Sequence, residues 1–236
     1  MSAEPPQPET TTRPPDPTAA GKCPSAWVLL LIATAIALGL DLGSKHLAFQ
    51  RVADAPVSID RAKVLEATSL DALIPVHDPV VAVPNGLEFT LVLNPGAVFG
   101  IGAGRRWFFV AFTVGALVFA LLIFARWTTA KDRGAHIALA MLIAGGVGNL
   151  YDRMLYACVR DFIHPLPGVT LPFGIRWPSG SREVWPYVSN VADLFLLLGI
   201  GALLIYSWRK PVDDERDSDS SAAKEADPAA TLPPPA

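Results

Sequence analysis

The chain has 236 residues, 51% of them hydrophobic and 17% charged, with a mean hydropathy of +0.37; this is too apolar for an ordinary soluble domain and excludes a wholly disordered protein. A formal net charge of -3, with scattered basic residues and no aromatic-rich basic stripe, excludes a nucleic-acid footprint. Cys23 and Cys158 make no disulfide framework, and His46, His77, His136 and His164 lack ligand spacing, so no metal cofactor is expected.

Residues 1–25 are rich in Pro, Thr and Glu with little to bury, and 209–236 repeat that composition with an acidic bias; both read as disordered, solvated tails. The first apolar run, 26–40, gives roughly 22 Å of helix, short of a hydrocarbon core about 30 Å thick. The helix is therefore expected to continue to about Phe49, which sets Asp41 and Lys45 four apart on one face at membrane depth, a candidate functional position. A cleaved secretory signal peptide is the competing reading; the long polar lead and the lack of a small-x-small site before Asp41 speak against it.

Segment 50–106 is too long for a bare connection. Within it, VVAV (80–83) and LEFTLVL (87–93) flank Pro84-Asn85-Gly86 and predict a β-hairpin. Upstream, 58–73 has a faint amphipathic period and predicts a short helix on the membrane surface. Further spans are predicted at 107–126, about 137–157 and about 188–208, with no internal repeat. Lys22 precedes the first span, Arg126, Lys131 and Arg133 lie between the second and third, and Arg209 and Lys210 follow the fourth. The positive-inside rule then puts both termini in the cytoplasm and 50–106 and 158–187 outside, with Trp107, Trp127, Trp185 and Trp208 at the interfaces. Cys23 and Cys158 fall on opposite sides.

Placed by depth, Asp41, Lys45, Asn94, Asn149, Asp152, Arg153, Asp161, Asn190 and Asp193 all fall in one layer at the outer ends of the spans, whereas the inner ends carry only ordinary Lys and Arg. Several have a structural reading too. Asp152 beside Arg153 reads as a compensating charge pair, Gly145, Gly146 and Gly148 as contacts for close helix packing, and Asn94-Pro95-Gly96 as a turn. Asp161 and Asp193 are harder to neutralise: on a helix Arg160 points about 100° away from Asp161, and no base lies near Asp193. Two acids entering one layer from neighbouring helices point to a dyad, in which close carboxylates cannot both ionise, so that one keeps a proton and the other acts as base. A Ser44–Lys45 nucleophile pair is disfavoured because adjacent residues on a helix diverge. A proton-coupled transporter would need polar residues in the inner halves of spans two and four, which have almost none; a scaffold using the acids only for helix pairing stays open.

DLGSK (41–45), NPGAVFG (94–100), GGVGNLYDRMLYACVRDFI (145–163) and NVAD (190–193) stand in the order and setting of a known pattern. The sequence resembles lipoprotein signal peptidase (signal peptidase II), a family of bacterial inner-membrane aspartyl proteases, over about residues 26–208. The resemblance implies an α-helical membrane protein of four transmembrane helices with a small extracytoplasmic β-cradle and a surface helix. It implies a catalytic dyad of Asp161 and Asp193, with Asp41, Lys45, Asn94, Gly96, Asn149, Asp152, Arg153 and Asn190 shaping the site or contacting substrate. The implied activity is removal of signal peptides from diacylglyceryl-modified prolipoproteins, cut just before the lipidated cysteine, by a monomer in contact with membrane lipid and with no metal or organic cofactor. The chain departs from the family in having Ala157 where Gly is usual and Ser189 where Phe is usual. Its segments 51–84 and 164–187 are also longer than typical, which bears on loop geometry and substrate preference.

Overall fold

The computed structural model describes residues 18–96 and 106–209. The tail assignments for 1–17 and 210–236, and residues 97–100 of the NPGAVFG motif, lie outside the described residues. In chain order the elements are α1 (Pro24–Arg51), a short α2 (Arg61–Glu66), β1 (Val80–Val83), β2 (Leu87–Asn94), α3 (Arg106–Leu122, continued by a π-helical turn Ile123–Trp127), α4 (Arg133–Leu155), β3 (Val159–Pro165) and α5 (Val191–Arg209). Helices α1, α3 with its extension, α4 and α5 are each long and apolar enough to cross a membrane.

Helix α4 is the centre of the bundle and packs against α1, α3 and α5. Its contact faces are small: Ala138, Ala140, Ala144, Gly145 and Gly148 are all buried. A Cβ at Gly145 would come within 2.6 Å of the Ala192 carbonyl oxygen, and one at Gly199 within 2.8 Å of that of Ala138, so α4 and α5 meet backbone to backbone. Bilayers reward such close approach, because dispersion replaces the missing hydrophobic drive between helices. The outward faces carry Leu31, Ile36, Phe112, Phe119, Leu197 and Leu204, all exposed, as suits surfaces solvated by acyl chains.

At one end of the bundle lies a three-stranded antiparallel sheet in the order β1-β2-β3. The β1–β2 turn places Asn85 at φ 55, a left-handed conformation that asparagine tolerates. The sheet rests on a small apolar cluster that includes Phe49, Val57, Val64, Leu91, Leu93, Cys158 and Phe162. Burial and the nearby Asp152 charge push the Cys158 thiol up to about 12, which makes it inert.

Within the fold the structure differs from the sequence reading in three places. Asp161 does not enter from a helix: α4 stops at Leu155, the chain reverses through Ala157, and Asp161 lies on β3. The surface helix expected over 58–73 contracts to α2, capped by Asp60 accepting from the Ala62 N–H at 2.8 Å, and a separate 3-10 turn at Asp71–Leu73. Residues 18–23 are clipped to the α3–α4 connection by Ala20 N–H to Thr128 O and Ala130 N–H to Thr18 O, both 2.9 Å. Their order comes from backbone pairing, which composition does not report. The 164–187 insertion is a cross-bonded loop in which Val184 N–H donates to Val169 O and Leu171 N–H to Arg182 O, each at 2.7 Å.

Ala157 adopts φ 66 at the α4–β3 reversal. A Cβ in that region costs about 1–2 kcal/mol, so Ala157→Gly is expected to stabilise the protein by about 0.5–1 kcal/mol once the greater freedom of the unfolded glycine is offset. A rise in thermal midpoint in detergent checks this, and an unchanged or lower midpoint would remove the strain argument.

Candidate active site

The site grows from one buried cation. Lys45, fully buried on α1, donates to Asp41 Oδ2 at 2.9 Å and to Asn149 Oδ1 at 3.0 Å, and lies 3.5 Å from Asp152 Oδ2. Asp41 uses its other oxygen to accept the Ala192 N–H at 2.9 Å, joining α1 to the first turn of α5. Gly148 of α4 gives this carboxylate its room, since a Cβ there would run into Asp41. Asp152, also fully buried, is held by the Arg160 Nη2 group at 2.8 Å, by Arg160 Nε, and by the Arg160 backbone N–H at 3.1 Å. Two acids and two bases thus form a neutral buried network, which meets the requirement that buried charge be paired and hydrogen-bonded.

Arg153 does not compensate Asp152, contrary to the sequence reading. Neighbours on a helix diverge too far to pair. Its Nη2 group donates instead to Gly96 O at 3.0 Å, its Nη1 group to Asn149 O at 3.3 Å, and the guanidinium carbon sits 5.5 Å from the centroid of the Phe109 ring. Asp152's partner is Arg160, which sequence reasoning left out of the site; reading VRDFI as a strand would have turned Arg160 and Asp161 to opposite faces and exposed the pairing.

Above this network sit the two remaining acids. Asp161 Oδ1 accepts from Asn190 Nδ2 at 2.6 Å and Oδ2 from Asn94 Nδ2 at 3.0 Å. Asp193 Oδ1 accepts from Asn149 Nδ2 at 2.8 Å, and Asn190 and Asp193 exchange side chain-to-backbone bonds of 3.2 Å in both directions. That reciprocal exchange is a capping box at the start of α5, and NVAD is its sequence signature. The motif therefore starts the helix and aims Asp193 with the same residues. Gly96 N–H donates to Asn94 Oδ1 at 3.0 Å and closes the turn that steadies the Asn94 amide. All ten site residues named from the sequence are consequently joined by one continuous set of polar contacts. Among the described residues neither Asp161 nor Asp193 is ion-paired. Burial, and next the charge of Asp193, raise the Asp161 carboxyl well above the usual carboxylate range, while the Asn190 and Asn94 amides pull the other way. No group of three or more His, Cys, Asp and Glu suited to a metal occurs among the described residues.

A family model described as signal peptidase (SPase) II matches residues 33–209. A lipoprotein signal peptidase of Bifidobacterium adolescentis is 31% identical over 179 residues, covering 75% of this chain and 84% of that protein. One from Anaeromyxobacter sp. is 27% identical over 214 residues, covering 86% and 95%. A solved bacterial membrane enzyme, determined in meso at 2.3 Å, superposes with a TM-score of 0.54 at 20% identity over 82% of this chain and 93% of its own, a likeness of fold. With the family match spanning most of the chain and four membrane-crossing helices carrying a small antiparallel sheet, this protein belongs to the signal peptidase II family of membrane peptidases.

Proposed function

We propose that the protein is an aspartyl endopeptidase that removes signal peptides from diacylglyceryl-modified prolipoproteins, cutting just before the lipidated cysteine. Asp161 and Asp193 form its dyad. The observation that carries this reading is the pair itself: two acids without ion partners, linked through the shared amides of Asn190 and Asn149. Close carboxyls share a proton, and the titration belongs to the pair. In the hydrolytic step the ionised carboxyl takes a proton from a water whose oxygen attacks the scissile carbonyl. The protonated carboxyl donates to the developing oxyanion; as the C–N bond breaks, the other carboxyl passes the proton it took from water to the leaving amine, and the diol hydroxyl returns a proton to the first as it becomes the product carboxyl. Asn94, Asn149 and Asn190 orient the acids, and Asp41, Lys45, Asp152, Arg153 and Gly96 hold the orienting groups in place. No cofactor is called for.

The protein acts as a monomer in a bacterial cytoplasmic membrane, with both termini cytoplasmic and the sheet outside. The charges at the other ends of the helices, Lys22, Arg126, Lys131 and Arg133, favour that orientation. Substrate enters sideways from the bilayer, its acyl chains between helices.

Purified protein in detergent is expected to cleave a diacylglyceryl prolipoprotein, and Asp161→Asn or Asp193→Asn to lower turnover by about 10²–10⁴-fold or more, with a thermal midpoint near the wild type. Loss of stability with turnover retained would favour the helix-pairing scaffold and sink the dyad. The pH profile gives a second test. Activity that needs one protonated and one ionised carboxyl falls on the alkaline side as the raised group ionises, so that limb should lie above the ordinary carboxylate range. Asn94→Ala removes a donor that favours the ionised form of Asp161; the limb should then move to higher pH in kcat/KM against pH. A limb that stays put would assign it to another group.

A further inference from the structure

The far face of β3 carries a second polar recess that the proposed chemistry does not use. Alternation along the strand turns Arg160 away from Asn94 and Asn190, toward Asp152 and the Tyr156 ring, whose centroid lies 4.6 Å from the guanidinium carbon. Beyond it lies a cavity of about 250 Å3, whose lining combines the polar side chains of His46, Gln50, Ser58, Tyr156 and Arg160 with the apolar ones of Phe49, Val57 and Ile59. Arg160 uses Nε and Nη2 on Asp152, which leaves its Nη1 group without a protein partner. The side chains of His46, Gln50 and Ser58 are exposed and likewise unpartnered among the described residues. Asp152, the carboxylate at the back of Arg160, is occupied by Arg160 and Lys45. Hydrogen-bond donors therefore converge on this cavity with no free carboxylate to receive them.

Its depth is set by α1. The 28 residues of this helix span about 42 Å, whereas about 20 residues cross the hydrocarbon. Counted from Pro24, the hydrocarbon ends near Lys45, and His46, Phe49 and Gln50 lie at headgroup level on the sheet side. Leu47, exposed between them, offers apolar surface to an acyl chain. The cavity is smaller than the roughly 300–1,000 Å3 that holds drug-sized ligands and is only partly enclosed.

We propose that this recess binds the phosphodiester of a phospholipid headgroup from the leaflet on the sheet side. The unused Arg160 N–H groups and the Ser58, Gln50 and His46 donors would receive its oxygens, and guanidinium geometry suits a phosphate. Because Asp152 offsets the Arg160 charge, the recess recognises the phosphodiester and not net negative charge. A bound headgroup would also stiffen the outer end of α1 against β3, one contact removed from Lys45.

The test titrates full-length protein in neutral detergent with short-chain phosphatidylglycerol, the matching diacylglycerol and inorganic phosphate, reading the thermal midpoint and the lipid adducts retained in native mass spectrometry. Phosphatidylglycerol should give a saturable rise and a retained adduct, and the other two ligands neither. Ser58→Phe, which fills the recess, should weaken binding about tenfold or more. Should Ser58→Phe fail to fold, the His46→Leu, Gln50→Leu double variant on exposed helix positions carries the same expectation. An equal rise with diacylglycerol would mean apolar contact alone, and an equal rise with phosphate a soluble-anion site. Either result, or undiminished binding by the variants, overturns the proposal. None of these readouts depends on proteolysis, so the proposal stands or falls apart from the dyad.

Discussion

Lys45 is the interaction on which the rest of the site depends. An ammonium held near the edge of the hydrocarbon must be paired and hydrogen-bonded or be neutral, and here its partners come from its own helix and from α4. Asp41, fixed by that pair, in turn holds the first turn of α5 through Ala192. Three membrane helices are thus keyed to one another in depth by a few polar contacts. Apolar faces sliding past each other in lipid have little to set register. The network's neutrality matters as much as its strength. Asp41 and Asp152 balance Lys45 and Arg160, and Arg153, the remaining cation nearby, is turned onto the carbonyls of Gly96 and Asn149 and makes no ion pair with the two acids above among the described residues.

From Lys45 the constraint passes to the amides. A cation can bond only the oxygen of Asn149, which turns the NH2 group of that side chain to Asp193. At Asn190 the oxygen accepts the Asp193 N–H at the start of α5, which leaves its NH2 group for Asp161 and for Asn149. Neither amide can flip without losing a bond at both ends. The two carboxyls are therefore oriented by donors whose own direction is fixed by a buried charge and a helix cap, the arrangement that the proposed dyad needs, since it orients both acids without neutralising them.

Much of this was legible in the sequence, for physical reasons that differ by residue. The spans announce themselves by apolar length, and a charged pair four residues apart inside one of them, Asp41 and Lys45, is too costly to be incidental. The hairpin around Pro84-Asn85-Gly86 is equally local. Asp161 was visible as an acid in the right layer, but its strand was hidden because CVRDFI is short and apolar enough to extend a helix pattern, and pairing with β2 decides the matter. The same hidden strand concealed Arg160 and made Arg153 look like the partner of Asp152. The clip at residues 18–23 and the cross-bonded loop at 164–187 rest on backbone hydrogen bonds, which leave no mark on composition.

The division of labour between sheet and bundle explains why such a site sits at the end of the helices and not in their middle. Asp193 comes from the first turn of a membrane helix, where unsatisfied N–H groups are available, and Asp161 from a strand whose backbone is already paired by the sheet. In the middle of the bilayer neither position exists: an α-helix there has no free N–H groups, and an open strand cannot survive contact with lipid. Hydrolysis adds the last requirement, access of water, and the proposed dyad meets it with a half-buried Asp193 beside a buried Asp161. That gradient from wet to dry exists only at the headgroup boundary.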